Sequence, residues 1–251
     1  MPSDPGVFTP EGDDSFNTTR WSLVLQAGAG GASGSPEARR ALSELCSIYW
    51  YPLYAFVRRN GFNHDDAEDL TQTFFAQLFE RSLVGAAQRE KGRFRAYLLS
   101  SMKNFLSDER SKARALKRGG GRIPLSLDMR DAENRYLCEP ASHETPEQLY
   151  ERRWAVQLLD RALHQLERES DEAGRGELFG KLKECLTGGR AHADYARIAG
   201  EINSTEGAIK VAAHRLRQRY KEVIRELVAE TVEHPEDIQD ELSVLFEAFA
   251  R

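Results

Sequence analysis

Apolar residues recur at helical spacing along most of this chain, and nowhere do apolar and polar residues alternate long enough to make a strand. Residues 1–16 are rich in Gly, Pro and acids and predict disorder. A short apolar segment at 21–27 predicts a helix, and the Gly/Ala/Ser run at 28–34 a connector, so 1–34 reads as a flexible N-terminal segment. Ser35 before Pro36 is the favoured order for a helix start. The stripe that follows is Ala38, Leu42, Leu45, Cys46 and Tyr49. Pro52 is expected to kink or break that helix, leaving a second piece with Leu53, Phe56 and Val57 that stops at Asn60-Gly61. A helix over 64–81 carries Leu70, Phe74, Phe75, Leu78 and Phe79 on its apolar side, with Asp65, Asp66, Glu68 and Asp69 crowding its start, where the helix dipole favours negative charge. Another, over 94–117, carries Tyr97, Leu98, Met102, Phe105 and Leu106 inside and ends at Gly119-Gly120-Gly121.

Residues 122–147 hold three prolines and no sustained helical period; seven acids against two arginines over 128–151 predict an acidic, extended linker. Helices resume over 146–166, 176–186 and 195–227. In the tail, Ile238, Leu242, Leu245, Phe246 and Phe249 share one helical face among acids, and a helix so short must dock on something. Two occupants are considered for it: the protein itself, as an ordinary terminal helix, or a basic DNA-reading face, as an autoinhibitor. The expected fold is all-α: two small helical domains, 35–121 and 148–228, joined by an acidic flexible linker, 122–147, with an acidic helical extension at 229–251.

Within 195–227 the pattern is that of a helix-turn-helix. Tyr195, Ile198, Ala199 and Ile202 share a face; Asn203 suits a left-handed turn position; Thr205 can cap the next helix. That helix puts Ile209, Ala212, Ala213, Leu216, Tyr220, Val223 and Leu227 on one stripe and Lys210, His214, Arg217 and Lys221 on the other side. A helix lying in a major groove needs one apolar face for docking and one cationic face for phosphates and base edges.

Composition adds limits. The hydrophobic share is 40%, the charged share 30% and the formal net charge −5. No run approaches the roughly 20 apolar residues of a membrane span, and the N-terminus lacks the features of a signal peptide, so a cytoplasmic protein is expected. Cys46, Cys138 and Cys185 lie far apart without a CxxC pair, which supports neither a disulfide framework nor a zinc site. Charge is segregated: nine Lys or Arg over 93–122 stand against Asp108 and Glu109, whereas 226–251 carries eight acids and one Arg. Such segregation bears on polyanion binding more than the total does.

The run Asp66-Ala67-Glu68-Asp69-Leu70-Thr71-Gln72-Thr73-Phe74-Phe75 resembles the core-polymerase-binding helix of bacterial sigma factors, closest to the extracytoplasmic-function branch of the sigma-70 superfamily. Tyr97-Leu98-Leu99 through Asn104 and Asp108 resembles the next helix of that family's second region, which melts and reads the −10 element. Glu206-Gly207-Ala208-Ile209-Lys210 onward resembles its fourth region, which reads the −35 element. The order of the regions matches too, over about 38–118 and 148–228. The resemblance implies a factor that binds core RNA polymerase, through the β′ clamp and β flap, and directs promoter recognition and opening, without cofactor, metal or catalytic residues of its own. It assigns polymerase binding to Asp66, Glu68, Asp69, Gln72 and Phe75. Contact with −10 DNA falls to Arg93, Arg95, Tyr97, Lys103, Asn104, Arg110, Lys112 and Arg114, and with −35 DNA to Arg197, Thr205, Glu206, Lys210, His214, Arg215 and Arg217. Promoter DNA is then a partner, and an anti-sigma protein is one the resemblance leaves room for. Where many members carry Trp, this chain has Tyr97; Ala212 stands at an often basic position, and Arg197 at a frequent Glu.

The residues agree physically. A polar face holding Asp66, Asp69, Gln72 and Gln77 with an apolar rim suits docking on a basic protein helix. Cations over 93–122 suit single-stranded DNA, with Phe94, Tyr97 and Phe105 as stacking faces if they are not core. The competing reading is a stand-alone helix-turn-helix repressor or activator, which leaves the Asp66–Phe75 run without a role. An enzyme is disfavoured: the six histidines are scattered, and there is no HExxH, phosphate loop or GxSxG.

Overall fold

The computed structural model describes residues 36–80, 93–115, 132–137, 144–183, 186, 194–232 and 234–250. The expectations for 1–35, for the glycines at 119–121 and for Cys138 and Cys185 lie outside the described residues, as do the side chains of Ala38, Leu42, Leu45, Cys46, Phe79 and Arg114. Among the described residues are nine helices: α1 (Pro36–Arg59), α2 (His64–Glu80), α3 (Phe94–Ala115), α4 (Ala132–Leu137), α5 (Pro146–Glu172), α6 (Gly176–Leu182), α7 (Tyr195–Glu201), α8 (Glu206–Ala229) and α9 (Asp237–Glu247). The protein is all-α; the β pairing found among the described residues is an isolated bridge between Arg93 and Val232.

Helix α1 continues through Pro52 as one element, so the expected break does not occur there. A proline inside a helix costs about 3 kcal/mol. On both sides of it Tyr49, Leu53, Tyr54, Phe56 and Val57 are buried, and each such side chain is worth about 1.5–3 kcal/mol, so burial outweighs the break. The helix stops at Asn60-Gly61, where Gly61 takes a φ of 91°. The expected linker also contains structure. Helix α4 forms within it, with the Arg58 guanidinium 4.7 Å from the Tyr136 ring centre and Tyr54 edge-on to Tyr136 at 6.5 Å. Tertiary contacts hold a segment too short and polar to announce itself by periodicity.

Helix α5 is the central element. One side packs on α1 and another on α8. Its stripe Tyr150, Trp154, Leu158, Ala162 and Leu166 joins Tyr49, Leu53 and Phe56 of α1, Phe75 of α2, Leu98 of α3, Val223 and Val228 of α8 and Leu245 of α9 in one buried cluster. The segments on either side of 122–147 therefore share a core. Trp154 Nε1 donates to Tyr49 Oη at 3.1 Å across the α1–α5 seam. A smaller cluster of Leu182, Ile198, Ala199, Ile209 and Ala213 holds α6, α7 and the first half of α8 together, and Leu216 packs against both clusters.

A capping box starts α5: Thr145 Oγ1 accepts from Gln148 N at 3.2 Å, and the Thr145 N–H donates to Gln148 Oε1 at 2.9 Å. Thr145→Ala removes one of these bonds and is expected to cost about 1 kcal/mol, read as a lower urea midpoint at unchanged slope.

Candidate nucleic-acid and partner interfaces

Helix α7 is capped by Asp194, whose Oδ1 accepts from Arg197 N at 3.0 Å. The chain then turns at Asn203 with a φ of 51°, as its residue type suggested, and Thr205 Oγ1 caps α8 by accepting from Ala208 N at 3.2 Å. Ile209 and Ala213 face inward onto Ile198 and Ala199. The opposite side of α8, carrying Gly207, Val211, His214 and Gln218, is exposed. Its cations differ in their commitments. Lys210 pairs with Glu206 at 2.7 Å, one turn back, and that hydrogen bond holds its ammonium pKa above the ordinary lysine range. Arg197 pairs with Glu201. Glu201 also meets Lys181 at 2.7 Å, and hydrogen bonds from Lys181 and then Arg197 keep its carboxyl below the usual range. Arg217 is half-buried and donates to Tyr195 Oη at 2.9 Å, tying α8 to α7 and not standing at the centre of the outer face. His214, Arg215, Lys221 and Arg225 are exposed. Gln218 and Val211 complete the face but were not singled out from the sequence; their helical position opposite Ile209 and Ala213 is the signal that marks them.

The basic helix α3 is arranged otherwise than expected at its start. Arg93 donates to Asp240 at 2.8 Å and Asp237 at 3.3 Å, and Phe94 N donates to Thr231 O at 3.0 Å. Arg95 is buried: its Nε donates to Glu241 Oε1 at 2.8 Å, its Nη1 to Glu151 Oε1 at 3.3 Å, and its guanidinium lies 5.0 Å from the Trp154 ring centre. Burial opposes the charged guanidinium, but the hydrogen bond and charge of Glu241 outweigh it and hold the pKa above the ordinary arginine range. Glu241 is itself fully buried. In this arrangement Arg93 and Arg95 serve as anchors for α9 and do not form an open phosphate track. Phe94 and Phe105 are core residues, and Tyr97 is half-buried with its ring 6.5 Å from Phe94. Further along α3, Lys103, Asn104, Arg110 and Lys112 are exposed. Lys103 meets Glu147 at 2.8 Å, Arg110 donates to Asn60 O at 3.1 Å, and Lys112 meets Glu109 at 2.9 Å.

The acidic tail thus docks on the protein itself. Ile238 and Leu245 are buried and Leu242 is half-buried, while Phe246 and Phe249, placed on the same face by spacing, are exposed. It packs on α5 and α8 and covers Arg93 and Arg95.

On α2, Asp65, Asp66 and Asp69 are exposed and Glu68 and Gln72 half-buried, with Gln72 Nε2 donating to Glu68 Oε1 at 3.2 Å. Asn63 caps this helix: its Oδ1 accepts from Asp66 N at 2.8 Å and its Nδ2 donates to Asp66 Oδ2 at 2.9 Å. Phe75 is fully buried in the main cluster and so belongs to the packing of α2, not to its outer face.

Among the described residues no group of three or more His, Cys, Asp or Glu is placed to hold a metal ion, and no helix is long and apolar enough to cross a membrane. No family model, no curated protein and no solved structure matches the chain.

Proposed function

We propose that this chain is a sigma factor of the extracytoplasmic-function type, which binds core RNA polymerase and directs promoter recognition. The observation that carries the reading is the α7–Asn203–α8 unit. It spends Ile209 and Ala213 on its own small core and turns Gly207, Val211, His214 and Gln218 outward, with cations at the rim. This is what a helix-turn-helix recognition helix requires of a major-groove element. The exposed acids of α2 support polymerase docking, and Lys103, Asn104, Arg110 and Lys112 of α3 are the side chains left to follow melted DNA. The protein itself makes and breaks no bond in this role; it supplies specificity and strand separation.

The test is binding to purified core RNA polymerase. Wild type is expected to bind, and a variant with Asp66→Asn and Asp69→Asn to bind at least tenfold more weakly. Asn at 66 retains an oxygen for the Asn63 amide, so the start of α2 is preserved while its charge is removed. A folded wild-type chain that shifts duplex DNA but does not bind the polymerase would instead be a stand-alone helix-turn-helix regulator.

A further inference from the structure

Among the exposed large apolar side chains of the described residues, Val211 alone lies on α8. It is 51% exposed. Residues four apart on a helix are neighbours, so Val211 lies between Gly207 and Arg215, with His214 and Gln218 on the same outward side. Gly207 has open space where a Cβ would be, which leaves the helix shallow one turn before Val211. Lys210 and Arg215 are exposed beside it, and Lys221 and Arg225 are exposed further along α8. A single branched methyl pair inside a rim of cations, next to an imidazole and a carboxamide, is poor chemistry for a protein interface, which needs a contiguous apolar core. It fits the floor of a DNA major groove, where the thymine 5-methyl is the one apolar feature among donors and acceptors, and where phosphates on either side meet the cations.

We infer that Val211 is a specificity-determining residue that packs on a thymine methyl of the upstream duplex element, at a hollow made by Gly207. The inference rests on the promoter-reading function proposed above and adds the base feature that is read. His214 and Gln218 follow Val211 along the same face and reach base edges further along the groove, and the rim cations set the register through phosphates.

The experiment uses the full chain with core RNA polymerase. A preferred upstream sequence is selected from a randomised duplex library, and each thymine in it is then replaced singly by deoxyuridine, which removes only the 5-methyl group. One position is expected to lose about three- to fivefold in affinity with the wild type, the worth of one buried methyl. Val211→Ala is expected to weaken binding to the thymine site by about the same factor and to be indifferent to deoxyuridine at that position. Because Val211 lies outside both buried clusters and Ala is the better helix former, the variant folds. Methyl dependence that persists in Val211→Ala, or that no position shows, overturns this inference while a preferred sequence leaves promoter reading intact. A selection that returns no preferred upstream sequence overturns both.

Discussion

Glu241→Gln is expected to destabilise the folded chain by about 3–5 kcal/mol, measured as the fall in unfolding free energy in urea. The substitution keeps the shape and removes the charge that faces the buried Arg95 guanidinium at 2.8 Å. What remains is a cation in a site lined by Trp154, with Glu151 at 3.3 Å as its other acid, so the loss falls toward the lower end of that range. The size of the effect comes from desolvation: a paired buried charge is tolerated, an unpaired one is not. Replacing both partners by apolar residues, Arg95→Met with Glu241→Leu, is accordingly expected to restore most of the loss. Asp240→Asn serves as the contrast. Its side chain is 69% exposed where it meets Arg93, and exposed pairs are worth less than about 1 kcal/mol. A loss below about 1 kcal/mol for Glu241→Gln would show that α9 is not anchored through this pair. The same reasoning bears on a deletion of the acidic tail. Cutting near Glu226 removes Glu241 along with everything else, so the gain in DNA binding expected of an unmasked face would be offset by the loss of stability from an unpaired Arg95. Point substitutions on α9 that spare Glu241 separate the two.

The sequence made the helix ends legible because caps and turns are local chemistry. Thr205, Asn203 and Asn60-Gly61 do in the structure what their residue types suggest, each within a few residues of its partners. Periodicity made the buried faces legible as well: Phe74, Leu78, Leu98 and Met102 are all inside. It could not say what those faces meet. That α5 lies on α1, rather than in a separate core with α8 alone, depends on contacts about a hundred residues apart, such as Trp154 to Tyr49. Charge runs failed for the same reason. Arg93 and Arg95 read as the start of a basic track, and the acids that bind them come from α9, 144 to 147 positions later, and from Glu151 of α5, 56 positions after Arg95. The resemblance assigns Phe75 to polymerase binding, whereas periodicity puts it on the apolar side of α2, where the structure buries it. Along α8 charge is no guide to the outer face: Arg217 is tied to Tyr195, and the uncharged Val211 and Gln218 stand at its centre.

Trp154→Ala is expected to cost about 3–5 kcal/mol and to lower the stability of the whole molecule in one step. Trp154 is fully buried on α5, donates to Tyr49 on α1 and lies under Arg95 of α3, so its removal opens a cavity where three helices meet and takes away a donor and a ring at once. If residues 36–115 and 144–250 were independent units, a defect in α5 would shift one unfolding transition and leave another in place. A cluster that runs from Tyr49 and Phe75 through Trp154 to Val228 and Leu245 predicts a single transition, moved to lower urea with its slope unchanged. Two resolved transitions in the variant would mean that the α1–α5 seam is a weak contact between separable halves. Combining Trp154→Ala with Glu241→Gln discriminates further, because both act on Arg95. Their losses are expected not to add, whereas Trp154→Ala and Thr145→Ala, which share no partner, are expected to add within about 0.5 kcal/mol.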